Sequence, residues 1–411
     1  MRRLIFINRY FFPDHSATSQ ILSDLAFHLA SSGREIHIVT SSQIYDVPKA
    51  SLPAYEIVND VHVHRVTSTR FGRSALIGRS IDYLSFYRSV SRKLMEVTRP
   101  SNLLVAKTDP PLVSIVAART ARRKGAGLIN WLQDLYPELA VALGIPFIPG
   151  PVARRLTELR NASLRVAEAN VVVGQLMARK VEAIGIEPGR THVIANWCDD
   201  LQIRPLPRPQ NLLRRTWGLE DKFVFGYSGN LGRGHEFETV LHAAERLRQE
   251  TRIVFLIVGG GKRFDELKGA VEARALTRSF SFMPYQARQT LPYSLGVPDV
   301  HWLSLNPKLE GLIVPSKFYG IAAAGKPIIV IGDESGELAR LVREHGCGVV
   351  IRPGDTDALV GALQRFLSDP AMISEMGTRA RKMLDAHFTR QTAFTQWGQL
   401  LDQLEQRTAL Q

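Results

Sequence analysis

The sequence predicts an α/β protein with two successive Rossmann-like domains, in each of which helices cover both faces of a parallel sheet. Three observations lead to this fold class. At 411 residues, the chain is longer than one hydrophobic core usually supports. Short apolar runs alternate with amphipathic helical segments, which is the pattern of parallel strands buried on both faces. The alternation breaks at the letters RPLPRP, which suit neither a helix nor a central strand, and then resumes.

The first domain is predicted over residues 1–200. Residues 4–8 form an apolar run of the buried-strand type, and an amphipathic helix follows a long loop at residues 18–32, where Gly33 ends it. Further strands are predicted at 35–40, 61–66, 102–107, 127–132, 170–173 and 191–194, and helices at 79–97, 111–124, 151–168 and 175–184.

The second domain is predicted over residues 216–390, after a linker at 201–215, and residues 391–411 form a last helix. Its strands are predicted at 223–227, 253–258, 279–283, 301–305, 327–331 and 348–351, and its helices at 236–249, 262–276, 315–324 and 336–345, with nearly continuous helix from 356 to 406. Ligands of such sheets bind beyond the carboxyl ends of the strands, so the loops after strands are the places to look for chemistry.

Composition favours a soluble protein of the cytoplasm. Hydrophobic residues make up 45% of the chain and charged residues 22%, so disorder is not indicated. No run reaches the roughly 20 apolar residues that cross a bilayer, and the start of the chain lacks a signal-peptide pattern. Two cysteines, Cys198 and Cys347, are too few for a disulfide scaffold and lack the spacing of metal ligands.

A basic segment at residues 61–99 accounts for much of the net charge of +13. Its basic residues are Arg65, Arg70, Arg73, Arg79, Arg88, Arg92, Lys93 and Arg99, against Asp82 and Glu96. Aromatic and aliphatic residues interleave with these charges, so the segment is a candidate contact with an anionic membrane surface. A solvated basic face is the plainer alternative. Nucleic acid is not expected, because no nucleic-acid-binding motif accompanies the charge.

The segment EGLIVPSKFYGIAAAGKP, at residues 310–327, predicts a site for an anion. Pro315 suits the first position of a helix, and Ser316 and Lys317 add a hydroxyl and a positive charge at that helix start. Glu310 would then lie slightly to one side and accept hydrogen bonds from hydroxyl groups such as those of a ribose. Diphosphate beside hydroxyls describes a nucleotide-sugar. The structural alternative is a capped amphipathic helix with a solvated Lys317.

The letters VPSKFYGIAAAGKPIIVIG resemble the nucleotide-binding segment of family 4 retaining glycosyltransferases of the GT-B fold. The resemblance is greatest to the branch that builds bacterial capsule and colanic-acid-like exopolysaccharide, and it covers essentially the whole chain. It implies two Rossmann-like domains that face a cleft, with a C-terminal helical tail that returns to the first domain. Many members have glutamates at the positions held here by Leu312 and Gly320, and Glu310 is the candidate replacement for one of them.

A glycine-rich loop at residues 228–235 follows a predicted strand and opens a helix. Its glycines, Gly229 among them, would let backbone N–H groups approach phosphate oxygens. In the resembling enzymes an Arg and a Lys stand where this chain has Asn230 and His235. We predict that Arg233 and Lys317 form the cationic pair for the diphosphate. The alternative is a tight turn with an exposed Arg233.

Two further loops are assigned to the donor nucleotide by the same resemblance. Gly259 and Gly260 end a strand and would line the nucleotide side, although close backbone packing also explains them. Met283 and Pro284 fall in the segment that holds the base through backbone contacts in these enzymes. Side chains in such a segment do not reveal which base is bound.

The first domain offers candidates for the acceptor side. Asp134 lies in QDLYPE, which resembles a segment that relatives write as His-Asp-Leu-Tyr/Trp-Pro-Glu, and it is predicted to orient a sugar hydroxyl. Capping of a helix near Pro137 is the structural alternative. The loop at residues 9–17 precedes a helix, and His15, Ser16 and Thr18 are assigned to the acceptor, with a solvated His15 as the alternative.

The resemblance implies a metal-independent glycosyltransferase without a resident cofactor, whose catalytic candidates are Asp134, Arg233, Glu310 and Lys317. Its donor would be a UDP- or GDP-type sugar and its acceptor an undecaprenyl-diphosphate-linked saccharide, at the inner face of the cell membrane. A DxD-like triplet at Asp355 to Asp357 opens a helix, which favours capping over metal binding. The alternatives are a nucleotide-sugar 2-epimerase of the same fold and a non-enzymatic basic binding module.

Overall fold

The computed structural model describes residues 1–44, 47, 51–71, 76–145 and 150–409. The chain divides into two compact units. Unit 1 comprises Met1–Ala195 with Ala393–Gln411, and unit 2 comprises Asn196–Thr392. Both units are mixed α/β with sheets that are parallel apart from one edge strand, which confirms the predicted fold class.

Unit 1 is built on an eight-stranded sheet. Its strands are β1 (Leu4–Ile7), β2 (Ile36–Ser41), β3 (Tyr55–Val58), β4 (Val61–Val66), β5 (Leu103–Lys107), β6 (Gly127–Leu132), β7 (Ala169–Val172) and β8 (Thr191–Val193), and its helices are α1 (Ala17–Ser31), α2 (Leu76–Val97), α3 (Val113–Lys124), α4 (Glu138–Ala142), α5 (Gly150–Val166) and α6 (Gln175–Glu182). The strand order is β3-β4-β2-β1-β5-β6-β7-β8. The order reverses between β1 and β5, so the loops after these two strands meet at the switch point where such sheets bind ligands.

Strand β3 was not predicted, and the structure shows the physical reason. This edge strand pairs antiparallel with β4, and its residues alternate between exposed and partly buried. It therefore lacks the continuous apolar run that marked the other strands. The short helix α4 was missed because five residues are too few to show helical periodicity.

Unit 2 is built on a six-stranded parallel sheet. Its strands are β9 (Phe223–Asn230), β10 (Ile253–Gly260), β11 (Phe280–Met283), β12 (Val300–Ser304), β13 (Ile328–Ile331) and β14 (Gly348–Ile351), and its helices are α7 (Leu212–Thr216), α8 (Glu238–Arg246), α9 (Phe264–Ala273), α10 (Leu291–Gly296), α11 (Lys317–Ala323), α12 (Glu337–His345), α13 (Thr356–Ser368) and α14 (Pro370–His387). The strand order is β11-β10-β9-β12-β13-β14, with its switch point between β9 and β12. The short helices α7 and α10 were not predicted.

The last helix, α15 (Arg390–Ala409), contributes most of its length to unit 1. Trp397 is fully buried and packs edge-on against Trp131 of β6 at a centroid distance of 4.8 Å. Arg34 donates to Glu405 over 2.7 Å and also pairs with Asp402. The helical tail thus packs within the first unit, as the sequence resemblance implied.

The basic segment at residues 61–99 does not form one surface. Arg65 belongs to β4, its side chain is fully buried, and it pairs with Glu56 of β3, so its assignment to a basic surface is wrong. Arg73 lies outside the described residues. The exposed face of α2 carries Ile81, Leu84, Arg88 and Arg92, which follow one another at helical spacing. No helix in the described part of the chain is long and apolar enough to cross a membrane.

Candidate active site

The loops after β9 and β12 form the most distinctive polar cluster of unit 2. They lie at the switch point of the sheet, where the strand order reverses. Asn230 ends β9, the loop after it carries His235, and the loop after β12 leads to Lys317, the first residue of α11. Residues far apart in sequence are therefore brought together at the carboxyl ends of two neighbouring strands.

Lys317 is the centre of this cluster. Its ammonium group donates to the backbone oxygen of Asn230 over 2.7 Å and to the hydroxyl of Tyr227. It also lies 3.2 Å from Nε2 of His235 and 4.4 Å from the centre of the Tyr227 ring. Within the described residues no carboxylate pairs with it. Burial lowers the pKa of Lys317 to about 7, because a buried ammonium loses its hydration.

His235 is a further polar neighbour of Lys317. Its Nδ1 lies 2.7 Å from the backbone oxygen of Ser304, which can only accept, so Nδ1 carries the proton and donates. Nε2 is then free to accept from the Lys317 ammonium. Burial and the charge of Lys317 lower the pKa of His235 to about 3, so this imidazole stays neutral at physiological pH.

Glycines leave room for this arrangement. A Cβ atom on Gly229 would lie 2.7 Å from Cε of Lys317, and φ of Gly229 is +118°, which a side chain disfavours. A Cβ on Gly259 would lie 2.3 Å from the backbone oxygen of Gly229. Gly260 sits against the exposed ring of Tyr285. The predicted glycine cradle therefore has a steric basis beside the Lys317 side chain.

Arg233, the predicted partner of Lys317, lies in the same loop with an exposed side chain. No contact in the described residues brings its guanidinium to Lys317. Another arginine, Arg263, does contact the loop, because it donates to the backbone oxygen of His235 over 2.5 Å and pairs with Glu266 over 2.6 Å. Pro315 and Ser316 immediately precede α11, so the helix begins two residues later than predicted.

Glu310 lies apart from the Lys317 cluster. Its Oε2 accepts from the backbone N–H of Glu337, the first residue of α12, over 3.2 Å. Burial raises the pKa of Glu310 to about 7, and the nearby Asp333 and Glu337 add to the rise. One carboxyl oxygen thus caps a helix. Only the other carboxyl oxygen of Glu310 remains for the predicted contact with a ribose hydroxyl.

The remaining donor-side residues sit where their strands end. Met283 closes β11 and is partly buried, and Pro284 follows with its side chain exposed. Sequence reasoning did not select Tyr227, Ser304 or Arg263 as site residues. Tyr227 and Ser304 lie inside apolar strands, where a polar residue carries little signal by itself. Arg263 lies just before α9, outside the loop that it contacts, so its place in the sequence does not indicate the contact.

Unit 1 has its own polar cluster, at the switch point between β1 and β5. Lys107 is the last residue of β5 and is only 1% exposed. Its ammonium donates to the backbone oxygen of Thr18 over 2.8 Å. The hydroxyl of Thr18 donates to Oδ2 of Asp109 over 3.4 Å. Asp134 follows β6 and is partly buried. Burial raises the pKa of Asp134 to about 7, and Asp109 adds to this rise.

The other acceptor-side candidates surround the start of α1. His15 is exposed, and Ser16 precedes the helix without capping it, since its hydroxyl oxygen is buried with no partner. The structural alternative for Asp134 is not realised, because α4 begins after Pro137 without a side-chain cap and Glu138 pairs with Arg160 instead. Asp109 and Lys107 were not selected from the sequence.

The DxD-like triplet is a helix cap, as its setting predicted. Oδ1 of Asp355 accepts from the backbone N–H of Ala358 over 3.0 Å, in the first turn of α13. Asp357 pairs with Arg246. Over the described ranges, no group of three or more His, Cys, Asp or Glu side chains is arranged to hold a metal ion.

Two family models match the chain. Residues 17–197 match the glycosyl transferase 4-like domain, and residues 210–383 match glycosyl transferases group 1. Together these matches cover most of both units.

Two curated bacterial relatives have the same sequence identity to this chain. The putative colanic acid biosynthesis glycosyl transferase WcaI of Escherichia coli K12 is 26% identical over 393 residues, which cover 91% of this chain and 94% of WcaI. The probable glycosyltransferase WbjE of Pseudomonas aeruginosa is 26% identical over 322 residues, covering 78% of this chain and 79% of WbjE.

Solved structures share the fold. The sucrose-phosphate synthase of Thermosynechococcus elongatus superimposes with a TM-score of 0.79 at 17% identity, over 99% of this chain and all of that chain. Anabaena HepE in complex with UDP-glucose gives a TM-score of 0.73 at 16% identity, over 98% of this chain and all of that chain.

Proposed function

The chain belongs to the glycosyltransferases of group 1 with a family 4-like first domain, and from this premise we propose that it transfers a sugar from a nucleoside-diphosphate sugar to a lipid-linked oligosaccharide. The pathway we propose is bacterial exopolysaccharide or capsule synthesis of the colanic-acid kind, which the similarity to WcaI supports. Membership in a family of transferases favours this activity over the epimerase and the non-enzymatic binding module.

One observation carries the donor site. The Lys317 side chain is partly buried at the switch point of unit 2, with neutral hydrogen-bond partners and no carboxylate partner among the described residues. A buried cation without a counter-ion is costly, and a diphosphate would supply the missing negative charge. HepE was solved with UDP and with UDP-glucose, which supports a nucleotide-sugar donor of the UDP or GDP type for this chain.

The remaining contacts of the donor follow from where the loops lie. Gly229 and Asn230 provide backbone in contact with Lys317, Gly259 and Gly260 belong to the neighbouring strand, and the exposed Arg233 is the cation that we assign to the bound phosphate. Pro315 and Ser316 lead into α11 beside the ammonium. The base lies against the backbone of Met283 and Pro284, and Glu310 offers its free carboxyl oxygen to a sugar hydroxyl.

Catalysis in this proposal rests on charge stabilisation. As the bond between the sugar and the diphosphate breaks, negative charge gathers on the leaving group, and Lys317 with Arg233 stabilises it. No metal is required for this task when protein cations hold the diphosphate. The stereochemical outcome we propose is retention, as the family resemblance implies.

The acceptor belongs to unit 1 in this proposal. Asp134 binds a sugar hydroxyl, and His15, Ser16 and Thr18, at the start of α1, bind other parts of the acceptor. The exposed face of α2, with Ile81, Leu84, Arg88 and Arg92, rests on anionic lipid, where each cation contributes about 1 kcal/mol. In this proposal the enzyme works at the inner face of the cell membrane, with an undecaprenyl-diphosphate-linked saccharide as its acceptor.

Thermal shift against UDP, GDP, dTDP and their sugars tests the donor. A ligand that binds only the folded protein raises its melting temperature, so one base series is expected to stabilise the chain and the others to do so weakly. Absence of a thermal shift with every nucleotide would remove the donor assignment.

Flotation with vesicles of anionic or neutral lipid tests the membrane contact, with the double substitution R88E and R92E as the variant.

A further inference from the structure

Arg9 is a buried cation at the switch point of unit 1. It follows β1 by two residues, and only 8% of the residue is exposed. Its backbone is held from both sides, because its N–H donates to the backbone oxygen of Asp109 over 2.6 Å and its own oxygen accepts from the N–H of Ser41 over 3.0 Å. Arg9 is therefore fixed at the edge of the sheet where ligands of such folds bind.

Two tyrosine rings pack against the guanidinium of Arg9. Its Cζ lies 5.4 Å from the ring centre of Tyr10 and 5.1 Å from the ring centre of Tyr83, which belongs to α2. A guanidinium that packs on aromatic rings uses its faces, whereas its N–H groups lie in its plane and stay available. The rings hold the cation in position without neutralising its charge.

The N–H groups of the Arg9 side chain are unpaired within the described residues. Nε is buried without a partner, and no hydrogen bond or ion pair to a described residue engages the guanidinium. Asp109 is near enough for its charge to act on Arg9, but its Oδ2 accepts from the Thr18 hydroxyl over 3.4 Å instead. A guanidinium keeps its proton at physiological pH, so Arg9 stays charged. A buried cation without a partner is costly, and a bound anion would offset that cost.

A phosphate group is the anion that suits this side chain. The planar guanidinium donates two parallel N–H bonds to phosphate oxygens, a geometry that an ammonium lacks. Arg79 lies one helical turn before Tyr83 on α2, and its charge acts on Tyr83 together with that of Arg9. A second cation is therefore near the same ring, and two cations favour a diphosphate over a single carboxylate.

The helix that carries Tyr83 indicates where the diphosphate comes from. Ile81 and Leu84 of α2 are 40% and 66% exposed, on the face that we assigned to anionic lipid. Tyr83 lies between them in the sequence but is partly buried and packs on Arg9. A phosphate bound by Arg9 would therefore lie beside the helix that contacts lipid, which suits a diphosphate attached to a lipid.

We propose that Arg9 binds the diphosphate that joins the saccharide of the acceptor to its lipid. The N–H groups in the plane of the guanidinium donate to the phosphate oxygens, while Tyr10 and Tyr83 keep the guanidinium in position. This inference rests on the proposed transferase function. It adds a residue that recognises the phosphate part of the acceptor, so that the enzyme selects acceptors by their diphosphate as well as by their sugar.

Calorimetry with diphosphates tests this site without any transfer reaction. The parent protein is K317A, so that the probe does not bind through Lys317, and the probes are farnesyl diphosphate and inorganic pyrophosphate. R9Q in this parent is expected to weaken the binding of farnesyl diphosphate by about tenfold or more, because charge-assisted hydrogen bonds to the phosphate are lost. The matched control R155Q, at an exposed arginine of unit 1, should bind as the parent does. Unchanged binding in R9Q overturns the proposal.

The two probes separate a lipid-linked diphosphate from a free one. Farnesyl diphosphate should bind more tightly than pyrophosphate, because its chain adds apolar contacts beside α2. Equal affinities would indicate a soluble phosphate compound and would contradict the lipid-linked source. If R9Q fails to fold, R9K decides, since it keeps a positive charge at this position. Its ammonium cannot pack on the rings and donate in one plane, so R9K should lose about threefold or more in affinity, and full affinity would overturn the role of the guanidinium.

A transfer assay relates this site to the acceptor. The probe is a radiolabelled nucleotide-sugar, chosen by thermal shift, with a bacterial membrane fraction as the source of acceptor and Lys317 intact. R9Q is expected to raise the amount of membrane needed for half-maximal rate by about tenfold, with the donor KM unchanged. An altered donor KM with an unaltered membrane dependence would contradict the acceptor role. If no nucleotide-sugar binds at all, the proposed function fails, whereas the calorimetry still decides whether Arg9 binds a diphosphate.

Discussion

The ammonium of Lys317 lies 3.2 Å from Nε2 of His235, although Lys317 begins the helix after β12 and His235 lies in the loop after the neighbouring strand β9. The carbonyl of Ser304 fixes the proton of His235 on Nδ1, so the imidazole presents a lone pair to the ammonium. A neutral acceptor holds the lysine in place without cancelling its charge. The positive charge of Lys317 therefore remains available for an anion.

Replacement of Lys317 by Ala is expected to weaken binding of the nucleoside diphosphate and to slow turnover by tenfold or more. A charge-assisted hydrogen bond contributes about 1.5–3 kcal/mol, which corresponds to this factor. Titration calorimetry with UDP measures the affinity, and release of UDP from the donor measures turnover. K308A, at an exposed lysine upstream in the same loop, is the matched control and should bind normally. Near-normal kinetics of K317A would exclude Lys317 from the mechanism.

Substitution of Gly229 by Ala is expected to reduce the affinity for the diphosphate by at least about tenfold through Lys317. The new methyl group would meet Cε of Lys317 at 2.7 Å and push the ammonium from Tyr227 and Asn230. Backbone strain at φ +118° adds about 1–2 kcal/mol of destabilisation.

The control for this variant separates strain from contact. Gly33 also has a positive φ, of +85°, but nothing lies within 4 Å of a Cβ placed there. G33A should lose stability without changing the calorimetric affinity for UDP. If G229A and G33A bound UDP equally well, the proposed path of the Lys317 side chain would be wrong.

Sequence reasoning located Lys317 because a Pro-Ser-Lys segment before an apolar helix has a recognisable pattern. It placed the glycine loop after a strand, but β9 runs on to Asn230, so Gly229 and Asn230 belong to the strand rather than to the loop. The neighbours of Lys317 were harder to predict. Tyr227 lies within an apolar run and Ser304 ends another, and nothing in the local sequence pattern indicates a polar contact there. Arg263 was missed for a related reason, since its contact with the His235 carbonyl depends on how two strands are ordered in the sheet.

Arg214 is expected to be critical for stability, although the sequence assigned it to a linker. Its guanidinium donates to both oxygens of Asp299, over 3.0 and 2.8 Å, and to the carbonyl of Val297 over 2.6 Å, with the side chain 2% exposed. R214A leaves Asp299 buried without its cation, since only the backbone N–H of Val224 still donates to Oδ2 over 2.8 Å, and should cost about 3–5 kcal/mol. Urea denaturation followed by tryptophan fluorescence measures the loss.

The next residue along the chain provides a control for Arg214. Arg215 is 71% exposed and pairs with Glu220 at the surface. R215A should change the free energy of unfolding by no more than about 0.5 kcal/mol. Equal losses for the two variants would mean that the buried pair does not stabilise unit 2.

A histidine cluster on β2 and β4 is expected to make unit 1 sensitive to acid. His37 Nδ1 lies 2.9 Å from His64 Nε2, His37 Nε2 lies 3.2 Å from Glu35, and the His37 and His62 rings stack. Burial lowers the pKa of His64 to about 4, with further lowering by His37, Lys93 and His62 against the opposing effect of Glu96. Burial also lowers the pKa of His37, beside Arg3 and Glu35.

The sign of this effect follows from linkage. An unfolded histidine takes up a proton near pH 6.5, whereas folded His64 resists protonation down to about pH 4, so the unfolded state binds more protons between these values. Stability should therefore fall as pH falls through this window. Calorimetric melting of unmodified protein and H64Q checks it, and a pH dependence that is as steep in H64Q would show that His64 is not responsible.

The polar cluster of unit 1 was predicted less completely than the cluster around Lys317. Asp134 stood out because its segment resembles a known one, whereas Asp109 and Lys107 follow a strand with no special spacing. Their proximity to Asp134 arises from the pairing of β5 with β6, which a single sequence does not state. The antiparallel edge strand β3 was not predicted either, because its exposed side chains interrupt the apolar run that marks the other strands.

Proton uptake on nucleotide binding tests the central role of Lys317 most directly. In the free protein burial holds the pKa of Lys317 at about 7, so at about pH 8 most molecules carry a neutral amine. A bound diphosphate favours the ammonium, and calorimetry in buffers of different ionisation enthalpy should therefore show uptake of nearly one proton per UDP at that pH. K317M should show none. Binding of UDP without proton uptake, or with the same uptake in K317M, would contradict the assignment of Lys317 to the diphosphate.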